Sequence, residues 1–285
     1  MSNGIKAREN ENHSIEMLGA QRELYNEAKW ADKIRFFISV ILPFSLSVIA
    51  VFAAEDSLVR GLTYSVSILG GMASLLINRH IKSMKVLAAT IQQQFDVYVY
   101  NMQWNNKMFG KKTNMDSEIA EYSKKLFDKC GEREKLFDWY PPSVDSKSIE
   151  EGIMICQREN CWWDVGLRKR YKYSSVALII ILSVIVLAIG IAKNESIVKV
   201  LWWVAFIAPM YQWLIGTIDS LNEDIERLQE LSDAVNGCDT YSMEDFQEIQ
   251  KMIFEHRKNC LAIPNMVYEI FKDNYEDKAY RIVNK

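Results

Sequence analysis

Four stretches of this chain carry no charged residue: positions 36–54, 61–78, 173–192 and 200–218. Each is close to the roughly 20 residues that a helix needs to cross a hydrocarbon core of about 30 Å. One such block fits a buried core helix. Four of them, in two closely spaced pairs, point to a bilayer, because lipid tolerates only elements that satisfy their own backbone. Whole-chain averages hide this pattern. With 285 residues, 25% charged and 49% hydrophobic side chains and a net charge of −3, the composition alone reads as an ordinary soluble protein.

About 33 polar residues precede the first block, unlike a cleaved secretory signal, so this block is expected to stay as a membrane helix. The expected organisation is a cytosolic N-terminal helix over 1–33 and a transmembrane hairpin over 34–81. A central cytosolic helical region over 82–172, a second hairpin over 173–218 and C-terminal cytosolic helices over 219–285 follow. Basic residues set the orientation. Lys29, Lys33, Arg35, Arg79, Lys82, Lys85, Arg168, Lys169, Arg170 and Lys172 flank the spans on one side, with Arg227 further out, against Arg60, Lys193 and Lys199 on the other. Both termini are therefore expected in the cytoplasm, with two short outside loops.

The polar regions read as helical. Ile15, Leu18, Tyr25 and Ala28, joined by Met17 and Leu24, form one apolar face. Met84, Leu87, Ile91, Phe95, Tyr98 and Met102 recur at spacings of 3 and 4, so the second span is expected to continue outward as one amphipathic helix. Ile218, Leu221, Ile225, Leu228, Leu231 and Val235 do the same after the fourth span, ending at Asn236-Gly237. Ser242-Met-Glu-Asp245 resembles a capping box, and Asp138-Trp139-Tyr140-Pro141-Pro142 breaks any helix. The fold class is thus all-α: an integral membrane protein with four transmembrane helices in two hairpins, continued into a cytosolic helical domain.

Within the second span, Thr63, Ser67, Gly70, Gly71, Ser74 and Asn78 share one broad face. Small residues there permit close helix packing, and hydroxyls suit a wet path, so a helix seam and a pore lining both remain open. No ionisable residue sits mid-span, which disfavours proton-coupled transport.

Five cysteines (130, 156, 161, 238, 260) fall in the expected cytosolic segments, and three histidines (13, 80, 256) are scattered. This gives no zinc spacing, and neither metal nor cofactor is expected. No phosphate-cradling glycine loop, nucleophile elbow or His-Glu-x-x-His occurs, so a non-catalytic role is expected.

The richest binding chemistry lies in CQRENCWWDVGLRKRY, residues 156–171. On a helix, Gln157, Asn160, Asp164, Arg168 and Tyr171 share a face, while Arg158 and Trp162 lie at i, i+4. Guanidiniums grip phosphate with forked hydrogen bonds, and indoles such as Trp163 offer faces to a base. The same residues equally compose an intrahelical ion pair, a cation–π contact and a basic collar for anionic lipid. Trp139 and Tyr140 on the proline turn, and Gln21, Arg22, Tyr25 and Lys29 before the first span, have the same mixed character.

Together, GAQRELYNEAKW before the first span, DWYPP in the middle and CQRENCWWDVGLRKRY before the third resemble the four-transmembrane effector family associated with SMODS nucleotidyltransferases. The resemblance covers most of residues 10–235. It implies a bacterial anti-phage effector of the inner membrane, functionally linked to a nucleotidyltransferase that makes a cyclic di- or trinucleotide on infection. The effector would bind this ligand in the cytosol, assemble as a homo-oligomer and permeabilise the lipid bilayer in the manner of a pore former. No nucleic acid polymer is implied. On that reading Arg22, Lys29, Arg158 and Arg168 hold phosphates and Trp139, Tyr140 or Trp163 stack bases, with Tyr25, Gln157, Asn160 and Asp164 completing the site. The alternative is a membrane scaffold or sensor that recruits a protein partner without nucleotide gating.

Overall fold

The computed structural model describes residues 2–51, 58–237 and 242–271, with the side chains of 50–51, 59–60, 161–163, 206 and 271 outside the described set. Among the described residues every regular element is helical. In chain order these are α1 (Ile5–Glu9), α2 (Asn12–Phe36), a π-helical stretch (Phe37–Ile41) and α3 (Leu42–Val51). Then come α4 (Leu58–Val99), α5 (Asn106–Phe109), α6 (Asp116–Phe127) and two 3₁₀ turns (Glu134–Leu136, Pro142–Ser146). They are followed by α7 (Ile149–Ala192), α8 (Ile197–Asn236), α9 (Met243–Asn259) and α10 (Asn265–Phe271).

The chain divides into two compact units. One comprises Met1–Ala28, Lys82–Leu167 and Asp224–Lys285; the other comprises Lys29–Ile81 and Arg168–Glu223. The long helices α4, α7 and α8 each contribute residues to both.

The first unit has a conventional core. Ile15, Leu18 and Leu24 of α2 pack with Ile91 and Phe95 of α4, Leu126 of α6, Ile153 of α7 and Phe246 of α9. Those of α2 and α4 are stripe positions expected from spacing, and one position of the α4 stripe departs from it. Tyr98 stands 42% exposed and donates its hydroxyl to Glu11, because α4 is about to end and turns that edge to solvent. A second cluster joins Leu228, Leu231 and Val235 of α8 to Ile249 and Ile253 of α9. The Ser242–Asp245 capping box is formed, and Lys85 donates to the Cys260 carbonyl at 2.6 Å, so α9 is capped at both ends.

One element escapes sequence reading. The polar start of the chain is docked: the Asn3 amide donates to the Val144 carbonyl at 2.8 Å, and Ile5 is fully buried.

The second unit is apolar outside as well as inside. Ile68, Leu69 and Leu75 of α4 and Ile180, Val184 and Leu187 of α7 are each more than two-fifths exposed. A surface of that kind is matched to hydrocarbon rather than water. Among the described residues, two helices are long and apolar enough to cross a membrane, and α8 makes a third if its bent halves count as one span. The bend, 60° between Ile197–Ala205 and Ile207–Asn236, has an identifiable cause. Pro209 lies inside α8, where its ring removes the hydrogen bond to residue 205 and crowds that carbonyl. The first expected span is helical where described, through the π-helical stretch and α3, and its residues 52–54 lie outside the described set.

Helix seams in this unit rest on small residues. A Cβ on Gly70 would sit 2.8 Å from the Ile38 carbonyl oxygen, and buried Thr63 donates to the Leu46 carbonyl at 3.4 Å. That edge of the small-residue face lies against the preceding helix, while Ser67 and Gly71 are exposed and Ser74 and Asn78 half-buried. Between α7 and α8, Gly190 approaches Val200, and the Ser183 and Tyr211 hydroxyls meet at 2.9 Å. At the other end Arg35 is held by Asp32 at 2.7 Å and lies 4.4 Å from the Trp213 ring centre. Gly70→Val should therefore destabilise the chain by about 1–3 kcal/mol, the usual cost of overpacking. Gly71→Val, whose Cβ meets open space, should be silent; thermal melting of the detergent-solubilised protein distinguishes the two.

Candidate functional site

Near its end, α4 becomes enclosed on nearly all sides. Ile91, Gln92, Gln93, Phe95, Asp96, Val97, Val99 and Tyr100 are all buried. Gln93 and Asp96, at i and i+3, thus project from one face into the interior with no exposure at all. A buried carboxylate must be compensated, and Asp96 is compensated from two directions. Its Oδ1 accepts from the Tyr140 hydroxyl at 3.0 Å. Its Oδ2 accepts from Gln250 Nε2 at 2.8 Å and from Arg257 Nη1.

Hydrogen bonds spread outward from this carboxylate. Because Tyr140 donates to Asp96, the 2.7 Å contact between Tyr100 and Tyr140 has Tyr100 as donor. Asn160 of α7 reaches the same Tyr140 oxygen at 3.4 Å. Gln250 Nε2 also donates to Gln93 Oε1 at 3.0 Å, and Gln157 Nε2 donates to Gln250 Oε1 at 3.1 Å and the Phe246 carbonyl at 3.0 Å. Three glutamine amides from α4, α7 and α9 are thereby chained. One turn along α9, His256 Nε2 meets Asp164 Oδ2 at 3.0 Å, which fixes Nε2 as the protonated nitrogen, since an ionised carboxylate only accepts.

Burial pushes the Tyr100 and Tyr140 phenols well above their ordinary range, so both act as neutral donors and acceptors. Burial raises Tyr25 likewise; the charges of Arg257, Asp96 and Asp164 also bear on it, which places this α2 side chain beside the same cluster. The thiol of Cys156 is raised by burial too, leaving it an inert core group. Among the described residues, the buried Gln93 Nε2 and His256 Nδ1 have no hydrogen-bond partner. Among the described residues no group of three or more His, Cys, Asp or Glu stands close enough to hold a metal.

Residues expected from separate motifs thus meet here: Tyr25 from the N-terminal motif, Tyr140 from the proline turn, and Gln157, Asn160 and Asp164 from the central helix. Others lie elsewhere. Arg22 pairs with Glu132 at 3.8 Å on a partly exposed surface, Arg158 is exposed, and Trp139 leans half-buried on the core. Lys29 and buried Arg168 belong to the second unit, and the side chain of Trp163 lies outside the described set. Sequence reading missed Gln93, Asp96, Tyr100, Gln250, His256 and Arg257. One signal was available: within an apolar repeat, IQQQFDVYVY sets a carboxylate one position after a core phenylalanine.

A second carboxyl, Glu9, is held beside the turn by the Tyr140 backbone N–H at 3.0 Å. Burial pushes it up to about 7, with that N–H and Lys6 pulling the other way and Asp138 and Asp145 adding to the rise. A carboxyl raised on folding binds more protons folded than unfolded, so its contribution to stability is best at acid pH. That contribution should decline as pH rises from about 4.5 through about 7, and Glu9→Gln should flatten the slope in pH-dependent melts. Tyr140→Phe would leave Asp96 Oδ1 and the Tyr100 hydroxyl without their shared partner. A loss of about 1–3 kcal/mol in denaturant unfolding is expected.

The chain was compared with known proteins. A probable CBASS effector molecule of Bacillus cereus (strain VD146) is 24% identical over 289 residues, covering 96% of this chain and 95% of that protein. No solved structure matches. The model of one family, described as the SMODS-associating 4TM effector domain, matches residues 3–285. A match over nearly the whole length, on an all-helical chain whose longest apolar helices suit a membrane, leads to one conclusion: the protein belongs to the SMODS-associating 4TM effector family.

Proposed function

We propose that this chain is a bacterial anti-phage effector of the inner membrane, working without catalysis in signalling by cyclic oligonucleotides. On this reading four helices span the bilayer in two hairpins, both termini are cytoplasmic, and the first unit is the cytosolic receptor. It binds a cyclic di- or trinucleotide supplied by a partner nucleotidyltransferase. Subunits then oligomerise or rearrange, the membrane becomes permeable and the infected cell is sacrificed. The family membership and the probable CBASS effector relative support the setting.

The observation that carries the reading is the buried polar cluster around Asp96. Apolar side chains of similar volume often fill such a core with no loss of stability, so stability alone does not call for a buried aspartate, an arginine, several amides and two phenols. Two helices of the cluster, α4 and α7, also supply the apolar stretches of the second unit. A ligand that prefers one packing of the cluster would therefore bias the helices that enter the bilayer. A pore wide enough to depolarise a cell needs more helices than one chain has, so closed homo-oligomers fit the mechanism.

Liposomes carrying the purified protein, titrated with a panel of cyclic di- and trinucleotides, test this directly. Dye release is expected with a cyclic nucleotide and not with its linear form. Arg158→Ala should reduce release at least about tenfold, the scale of one lost charge-assisted contact. Silence across the panel from folded, inserted protein would overturn the reading.

A further inference from the structure

The cluster around Asp96 is unbalanced in its hydrogen-bonding groups. Donors converge on a single carboxylate: the Tyr140 hydroxyl, Gln250 Nε2 and Arg257 Nη1. A further donor, Gln93 Nε2, is completely buried and has no acceptor. Its neighbour Gln250 already gives both amide hydrogens, one to Asp96 and one to Gln93 Oε1. Around Asp96, donors therefore outnumber charged acceptors, and the one carboxylate they share belongs to the protein itself.

Exposure within the Asp96–Arg257 pair is also uneven. The Asp96 side chain has none, whereas the Arg257 side chain keeps 11%. The guanidinium offers five N–H donors in a rigid fork. Among the described residues its one side-chain partner is Asp96. An anion arriving from solvent meets Arg257 first. The group that best completes such a site is one that only accepts, carries charge and has oxygens for several donors at once: a phosphate or phosphodiester.

We propose that Arg257 anchors a phosphate group, with Gln93 and Gln250 as its neutral donors, and that Asp96 is an internal counter-ion holding this position until the phosphate displaces it. Taking that phosphate to be one of the cyclic oligonucleotide's rests on the function proposed above; the competition between Asp96 and an anion does not. The exchange makes binding and conformational change one event. A phosphate on Arg257 drives the Asp96 carboxylate from its partner, and Asp96 sits on α4. Asp96 sets the threshold, because every ligand must outcompete a carboxylate already in place.

Pyrophosphate serves as the probe, read by thermal shift of the full-length protein in detergent. The wild-type chain should respond weakly. Asp96→Asn keeps the shape and removes the competing charge, so its apparent affinity for pyrophosphate should rise about tenfold or more. In the absence of anions that variant should melt lower than wild type, because Arg257 loses its partner, and pyrophosphate should restore it. The double variant Asp96→Asn, Arg257→Gln removes both charges and should melt near wild type without responding to pyrophosphate.

An Asp96→Asn response no stronger than wild type overturns the proposal, as does a response that survives in the double variant. Should Asp96→Asn alone fail to fold, loss of the wild-type response in the double variant supports the proposal and its persistence overturns it. The two readings fail separately. Pyrophosphate competition without response to any cyclic nucleotide sinks the proposed function and spares the anion site. Dye release that answers a cyclic nucleotide but is unaltered by Asp96→Asn and by the double variant spares the proposed function and overturns the assignment of this phosphate to the cyclic oligonucleotide.

Discussion

The first unit of this protein is organised around one buried charge. Asp96 has no solvent to stabilise it, and desolvating a carboxylate costs several kcal/mol unless donors replace the lost water. Those donors come from the proline turn and from α9, so placing the carboxylate correctly also places Tyr140, Gln250 and Arg257. The surrounding apolar contacts, such as Phe95 against Ile91 and Phe246, are interchangeable in kind. The hydrogen bonds on Asp96 are not, because each has one donor and one direction. Uniqueness of packing here comes from the polar centre more than from the oil around it.

The same helix changes its chemistry along its length. Between Leu62 and Leu76, α4 turns large apolar side chains outward; between Ile91 and Tyr100 it is enclosed and carries Gln93 and Asp96. In a membrane the outward face needs only to be apolar and can slide or rotate against lipid at little cost. In the enclosed stretch each amide and carboxylate has a defined partner, and the alternatives are discrete. A helix built this way is permissive at one end and committed at the other, which suits a device that switches between two packings.

Much of the fold was legible because it is written in local rules. The 3-and-4 spacing of Ile15, Leu18 and Leu24, the stripe from Leu221 to Val235 and the Ser242–Asp245 cap each involve neighbours within a turn or two. The bend of α8 follows a rule equally local, that of a proline inside a helix. Half of the polar cluster was legible too, since Gln157, Asn160 and Asp164 share a helical face and Tyr140 sits on a turn that prolines stiffen. The other half was not. Asp96 meets Arg257 across 161 positions, and no periodicity relates them. On spacing alone Asp96 belongs to the solvated side of α4, and only the arrival of α9 turns that side into interior. The docking of Asn3 and Ile5 was hidden likewise, because a five-residue helix in a polar leader has too few apolar positions to register as an element.

That long reach has a consequence for biosynthesis. A ribosome delivers Asp96 after the first apolar hairpin and Arg257 only after the second, with α9 following both. Throughout that interval the carboxylate is waiting for a partner not yet made, and the first unit cannot close. The apolar stretches are therefore all synthesised before the first unit can be completed. A chain truncated anywhere before α9 would be threaded through the bilayer yet lack the groups that finish the polar centre. On the function proposed above, this order means that partly synthesised copies lack the polar centre at which the signal would be read.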